Sequence, residues 1–149
     1  MIIFTDGCCD PNEESASGLD SGYGAIMFDP EDNAYEFVKK DMSEELKWFL
    51  SLEGRKAQIV GQAEVLPCLL ARRIWSARMK NRAVLYFIDN DAARYSFIKG
   101  ISDDPHMSVM LTSFWEEERI TPSYPWFARV PTVGNPADEP SRGATPCVL

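Results

Sequence analysis

Met1-Ile2-Ile3-Phe4-Thr5-Asp6-Gly7 is a short apolar run that stops on an aspartate and a glycine. Ile, Phe and Thr suit a pleated, half-buried surface. A run of this length closed by Asp-Gly reads as a buried strand that delivers a carboxylate to its C-terminal edge. Ligands gather at such edges in sheets built with helical crossovers. A second run of the same kind, Ala83 to Ile88, ends in Asp89-Asn90-Asp91. Because both strands end in aspartate, residues 2–6 and 83–89 are expected to form a central parallel pair with the two carboxylates side by side.

Between them lie Gly22-Tyr23-Gly24-Ala25-Ile26-Met27-Phe28 and the alternating Ala34-Tyr35-Glu36-Phe37-Val38-Lys39. Only the turn Asp29 to Asn33 separates these two strands, so they form an antiparallel hairpin. Cys8 to Ser21 reads as a loop. It is not a calcium loop, because Ser15 and Ser21 stand where that loop needs Gly and Glu. Asp41 to Lys56 is amphiphilic and ambiguous. Gln58 to Lys80 is the strongest helix, with Ile59, Ala63, Leu66, Leu69 or Leu70, Ile74 and Ala77 at helical spacing. Proline is best tolerated in a first turn, so Pro67 places the helix start a few residues upstream of it and Glu64 at or just before that turn. A carboxylate there also complements the helix dipole.

Downstream, Ala92 to Ile98 reads as a helix stopped at Gly100. Ser102-Asp103-Asp104-Pro105 caps a further helix, His106 to Arg119, whose apolar face is Val109, Met110, Phe114 and Trp115. Tyr124 to Val130 is a fifth strand. Pro131 to Arg142 is turn-rich and presents Asp138. Residues 143–149 are expected to fray.

The bulk composition bounds the answer. A chain of 149 residues with 45% hydrophobic content suits one domain, 1–149, with a real core. No apolar run is long enough to span a bilayer, and the N-terminal stretch lacks the pattern of a signal peptide. The cysteines at 8, 9, 68 and 147 form no CxxC pair and no Cys/His cluster, which argues against a zinc site and fits a reducing intracellular compartment, cytoplasm or nucleus. The net charge of −8 argues against a strong autonomous nucleic-acid binder. It is compatible with an enzyme that meets phosphates through divalent cations. Acids spread along the chain, two ending strands and one opening a helix, make sense if they converge on hard cations that take oxygen ligands. Two such ions about 3.5–4 Å apart support phosphodiester cleavage.

Asp6-Gly7, Gly22-Tyr23-Gly24-Ala25-Ile26, Gln62-Ala63-Glu64, Ile88-Asp89-Asn90 and Asn135-Pro136-Ala137-Asp138-Glu139-Pro140-Ser141-Arg142 together resemble the ribonuclease H family. The nearest likeness is to the RNase H domains of retroelement reverse transcriptases. It runs from Ile2 to about Arg142. The resemblance implies an α/β fold with a five-stranded mixed sheet in the order 3-2-1-4-5 and helices on both faces. It implies a metal-dependent endonuclease that hydrolyses the RNA strand of RNA/DNA hybrids, with two Mg2+ or Mn2+ ions held by Asp6, Glu64, Asp89 and Asp138. By the same resemblance Asp6 bridges both ions, Asp138 belongs to the ion that activates water, and Glu64 lies near the ribose 2′-OH. Cys9, Asn12, Gln62, Asn90 and Arg142 are the implied substrate contacts.

Three departures from the family pattern stand out. Many members carry a histidine before the last aspartate, whereas the single histidine here is His106, on a different segment; Arg129 or Arg142 is the candidate replacement for its function, the alternative being a surface charge or ion-pair partner. The basic substrate-gripping protrusion is replaced by the acidic Ser102 to His106. Asp41 to Lys56 is additional. A reverse transcriptase or another basic partner is therefore expected to supply the grip. The alternatives are a non-cleaving module that binds nucleic acid or protein, and a DNA nuclease of the same fold.

Overall fold

The computed structural model describes residues 1–11, 19–51 and 59–146. In chain order the elements are β1 (Ile2–Pro11), β2 (Leu19–Asp29), β3 (Ala34–Asp41), α1 (Glu44–Leu50), α2 (Val60–Ile74), α3 (Ser76–Met79), β4 (Ala83–Ile88), α4 (Asp91–Lys99), α5 (Pro105–Ile120), β5 (Tyr124–Arg129), a 3-10 turn (Thr132–Gly134) and α6 (Asp138–Ser141). The strands form one sheet in the order β3-β2-β1-β4-β5. β1, β2 and β3 pair antiparallel, while β4 is parallel to both β1 and β5. The β1–β4 register runs from Ile2 opposite Leu85 to Thr5 opposite Ile88. Asp6 and Asp89 are therefore the next residues on neighbouring strands, as the twin Asp endings require.

Alternation along the strands separates two faces. One carries Ile3, Ala25, Met27, Val84, Tyr86, Ile88 and Phe127, all buried. It packs on α2, α4 and α5 through Ala63, Leu66, Phe97, Leu111 and Phe114. Phe97 stacks on Phe127 with centroids 5.0 Å apart, and Phe114 meets Phe97 edge-on. The other face carries Ile2, Phe4, Ile26, Phe28, Leu85 and Phe87, with Phe4 and Phe87 stacked at 4.9 Å. Here α6 is the helix, and it covers only the end of the sheet at Gly22 and Gly24. A Cβ on Gly24 would lie 2.5 Å from the Ser141 nitrogen, and one on Gly22 2.2 Å from the Ser141 carbonyl oxygen. The rest is an apolar groove of about 550 Å³ that none of the acids lines.

Several local expectations change. Residues 8–11 and 19–21 are not loop: β1 and β2 stay paired out to Pro11 opposite Leu19. Their partner is another strand, which local propensity does not register. The long helix expected over Gln58 to Lys80 breaks at Trp75, which caps both α2 and α3. Its indole is buried and donates to Glu36 Oε2 at 2.8 Å, a cross-link to β3 that fixes the break. Gln58 itself lies outside the described residues. The ambiguous segment contains α1, capped by Ser43 Oγ, which accepts from Leu46 N at 3.2 Å. Asp104 caps α5 as expected, accepting from Met107 N at 2.9 Å. The buried stripe of α5 is Met107, Met110, Leu111 and Phe114, whereas Val109 is exposed. In the tail, Lys39 Nζ donates to the Gly143 carbonyl at 2.7 Å and to Thr145 Oγ1 at 3.3 Å, while 147–149 lie outside the described residues.

Pro67 is the largest local surprise. It is the eighth residue of α2, not part of a first turn. Proline has no N–H, so the carbonyl four residues earlier, that of Ala63, loses its helical donor. That carbonyl is turned onto β1 at Gly7, where an added Cβ would sit 2.1 Å from the Ala63 oxygen. The missing helix bond and the glycine after Asp6 are thus two halves of one close approach. Glu64 accordingly stands in the second turn of α2, held against the end of β1.

Candidate metal centre

β1 delivers Asp6, β4 delivers Asp89, and the close α2–β1 approach delivers Glu64. One carboxylate oxygen from each lies within 4.8 Å of the others. Asp6 and Glu64 are almost fully buried. Three carboxylates cannot share a dry site in charged form without a cost. Burial first, with the nearby charges of Asp89 and Asp138, raises the Asp6 carboxyl to about 6 against an opposing hydrogen bond from Ser141. Burial first, then Asp6 and Asp89, raises Glu64 to about 9, although the Gly7 N–H favours its charged form.

The donor set fits a hard divalent cation. It is all oxygen, and two of its atoms, Glu64 Oε2 and Asp89 Oδ1, are buried with no hydrogen-bond partner among the described residues. An unpaired buried acceptor is costly, and a coordinated cation would satisfy both. Carboxylate oxygens favour Mg2+ or Mn2+ over softer metals.

Asp138 is the acid that the trio leaves out. It opens α6, close enough for its charge to act on Asp6. Its carboxylate takes Arg142 Nε at 3.1 Å, and Arg142 Nη1 reaches Asp10 Oδ2 at 2.6 Å. Arg142, expected as a substrate contact, is therefore shared between two carboxylates. Gln62 is buried, and its amide donates to Asp104 Oδ2 at 2.9 Å, tying α2 to the cap of α5 instead of facing the acids. Asn90 caps α4, its Oδ1 accepting from Ala93 N at 3.0 Å. Cys9 packs against the core as part of β1. Asn12 lies outside the described residues. His106 is on α5 with its ring 4.1 Å from that of Phe49, and Arg129 pairs with Asp91 at 3.5 Å.

Two residues not singled out from the sequence touch Asp6. Asn135 Nδ2 donates to the Thr5 carbonyl at 3.0 Å and approaches Asp6 Oδ1 at 3.5 Å. Ser141 has one hydroxyl proton and two acceptors in reach, the Asp6 carboxylate and the Asp138 carbonyl at 2.9 Å. Both residues lie inside the segment that presents Asp138, which was the available signal.

No protein-family profile matches the sequence, and no curated protein matches it. Solved structures do. RNase H1 from the halophilic archaeon Halobacterium salinarum is similar over 96% of this chain and 95% of that one, with 14% identity and a TM-score of 0.67. The compost-derived LC11-RNase H1 in complex with RNA/DNA hybrid is 15% identical over 96% and 94% of the two chains, with a TM-score of 0.61. The prototype foamy virus protease-reverse transcriptase matches 99% of this chain but 21% of its own, at 14% identity and a TM-score of 0.65. The chain has the ribonuclease H fold, in the strand order 3-2-1-4-5.

Proposed function

We propose that this chain is a ribonuclease H: a divalent-metal-dependent endonuclease that hydrolyses the RNA strand of RNA/DNA hybrids. The observation that carries the reading is the trio Asp6, Glu64 and Asp89 at the end of the parallel β1–β4 pair, with two buried oxygens that lack partners. When bound there, Mg2+ or Mn2+ supplies an activated water and charge stabilisation for the leaving oxygen. The chain's own contribution is positioning. Asp6 is within reach of Glu64 and Asp89 and feels the charge of Asp138, so it would be the acid that holds metal in common with the others. Glu64 keeps its proton at neutral pH until a cation compensates its burial. It is also the acid we assign to the neighbourhood of the ribose 2′-OH, the group that separates RNA from DNA.

One similar structure is an RNase H1 in complex with RNA/DNA hybrid, and another is a protease-reverse transcriptase. These likenesses support a hybrid as partner and a role as one domain of a retroelement reverse transcriptase. The cysteine pattern is what supports a reducing intracellular compartment. The acidic balance of the chain supports a basic partner domain as the source of grip. Cleavage of RNA/DNA hybrid, double-stranded RNA and double-stranded DNA, each with Mg2+ or Mn2+, tests the reading. The expected result is cleavage of the hybrid's RNA strand, abolished in Asp6→Asn. Hybrid binding without cleavage would indicate a binding module, and cleavage of DNA a nuclease of another specificity.

A further inference from the structure

The geometry points to Asn135 as a positioning residue that joins the two ends of the chain into one metal site. This inference rests on the proposed metal centre and extends it. Asn135 is nearly inaccessible, 5% exposed. Its Nδ2 donates to the Thr5 carbonyl at 3.0 Å and lies 3.5 Å from Asp6 Oδ1. Its Oδ1 accepts from Ala137 N at 3.2 Å, and its own carbonyl accepts from Asp138 N at 3.1 Å. An amide presents donors and an acceptor on one rigid plane. One end of that plane therefore grips β1 at the residue before Asp6 while the other grips the start of α6, which carries Asp138.

Among the described residues, no other side chain hydrogen-bonds both partners. Ser141 reaches Asp6 from α6 but does not touch the β1 backbone beside it. Cys8 Sγ donates to the Ser141 carbonyl at 3.0 Å, which holds the far end of α6 and not its start. Gly22 and Gly24 let α6 sit directly on β2, so the clamp has no slack to take up through side chains. Loss of the amide should free both Asp6 Oδ1 and the Asp138 backbone to drift. The metal site would weaken while the fold, held by the opposite face of the sheet, persists.

The test is Mn2+ affinity of the whole chain without nucleic acid, by titration calorimetry well below the melting temperature. Asn135→Ala and Asn135→Ser are compared with wild type and with Phe114→Leu. Serine can still cap Ala137 N but is too short to reach Thr5, and it serves if the alanine variant fails to fold. Phe114→Leu lowers stability in the core, remote from the acids. The expected outcome is a loss of Mn2+ affinity of about 10- to 100-fold in the Asn135 variants, the range for residues that orient ligands. Phe114→Leu should bind as wild type does. Hybrid cleavage by the Asn135 variants should recover in part at high Mn2+. Unchanged affinity in a folded Asn135 variant, or an equal loss in Phe114→Leu, overturns the clamp. Failure of the nuclease reading shows elsewhere, as a wild-type protein that binds Mn2+ but cuts no hybrid.

Discussion

Burial and mutual repulsion penalise the charged forms of Asp6 and Glu64, so in the metal-free protein Asp6 keeps its proton to about pH 6 and Glu64 to about pH 9. Both folded values, about 6 and about 9, lie above the ordinary 3.8 and 4.5. A carboxyl raised in this way contributes stability that is complete below its ordinary value and is lost as pH rises through the folded one. With chelator present, the melting temperature should therefore fall between about pH 5 and about pH 9. Saturating Mg2+ or Mn2+ should reverse the decline at the alkaline end by binding the native state. A chelated protein equally stable across that range would refute the coupling. Substitution at the same atoms gives a second prediction. Asp6→Asn removes one like charge, so the metal-free protein should melt no lower than wild type while losing most of the metal-induced gain. Its hybrid cleavage should drop by more than ~100-fold, beyond the loss expected for an outer-shell partner. Asp89→Asn and Glu64→Gln should behave alike. Asp138→Asn should be milder, because that carboxylate stands outside the trio and is already engaged by Arg142.

At the scale of elements, α2 is the part on which the site depends. It is pressed onto β1 at Gly7 by the carbonyl that Pro67 leaves without a donor. Gly7→Ala would place a methyl group inside that contact, and neither backbone can yield without moving Glu64. The expected cost is at the upper end for overpacking, about 3 kcal/mol, read as a shift in urea midpoint. Mn2+ binding should be lost with it. The other side of α2 is fixed by Arg72, fully buried, which pairs with Glu118 of α5 at 2.5 Å and donates to the Glu117 carbonyl at 3.0 Å. Arg72→Ala would strand the buried Glu118, which among the described residues keeps Ser123 as its hydrogen-bond partner. Breaking a buried pair from one side costs about 3–5 kcal/mol. Arg72→Met combined with Glu118→Leu should recover much of that, since neither charge is then left alone. Chemical denaturation of the single and double variants decides this.

For the whole molecule, charge governs the encounter with nucleic acid. The chain carries −8 overall, and cations around the acids are already paired: Lys47 with Glu44 at 2.7 Å, Arg142 with Asp138 and Asp10. Affinity of the isolated chain for a hybrid should be weak and should fall about tenfold between ~50 and ~200 mM salt, as for roughly two phosphate contacts. Fusion to a basic nucleic-acid-binding domain should restore binding through effective concentration. Filter binding across a salt series checks both. Nanomolar affinity of the isolated chain at physiological salt would mean that its surface grips nucleic acid without such help.

The sequence by itself determined the strands and their central parallel pair, which follow from short apolar runs that stop on aspartate, where the information sits in adjacent residues. The strand order and the set of four acids, Asp6, Glu64, Asp89 and Asp138, were what the resemblance implied, and only the folded chain shows that three of them share one point. The sequence also carried the order of motifs that resembles ribonuclease H. It did not reveal that β1 and β2 run on through Cys8 and Cys9, because their partner is a strand and not a local preference. It put Pro67 in a first turn, because a mid-helix proline is tolerated here only by a contact with Gly7, which lies far away in sequence. Arg142 appeared free for substrate until folding brought Asp10 beside it, 132 positions away. Asn135 read as one turn residue among several, and only the docking of α6 on glycines 22 and 24 places its amide against Thr5 and Asp6. Backbone propensity and periodicity act over a few residues, while the pairing of polar groups is settled by what the closed fold leaves without water.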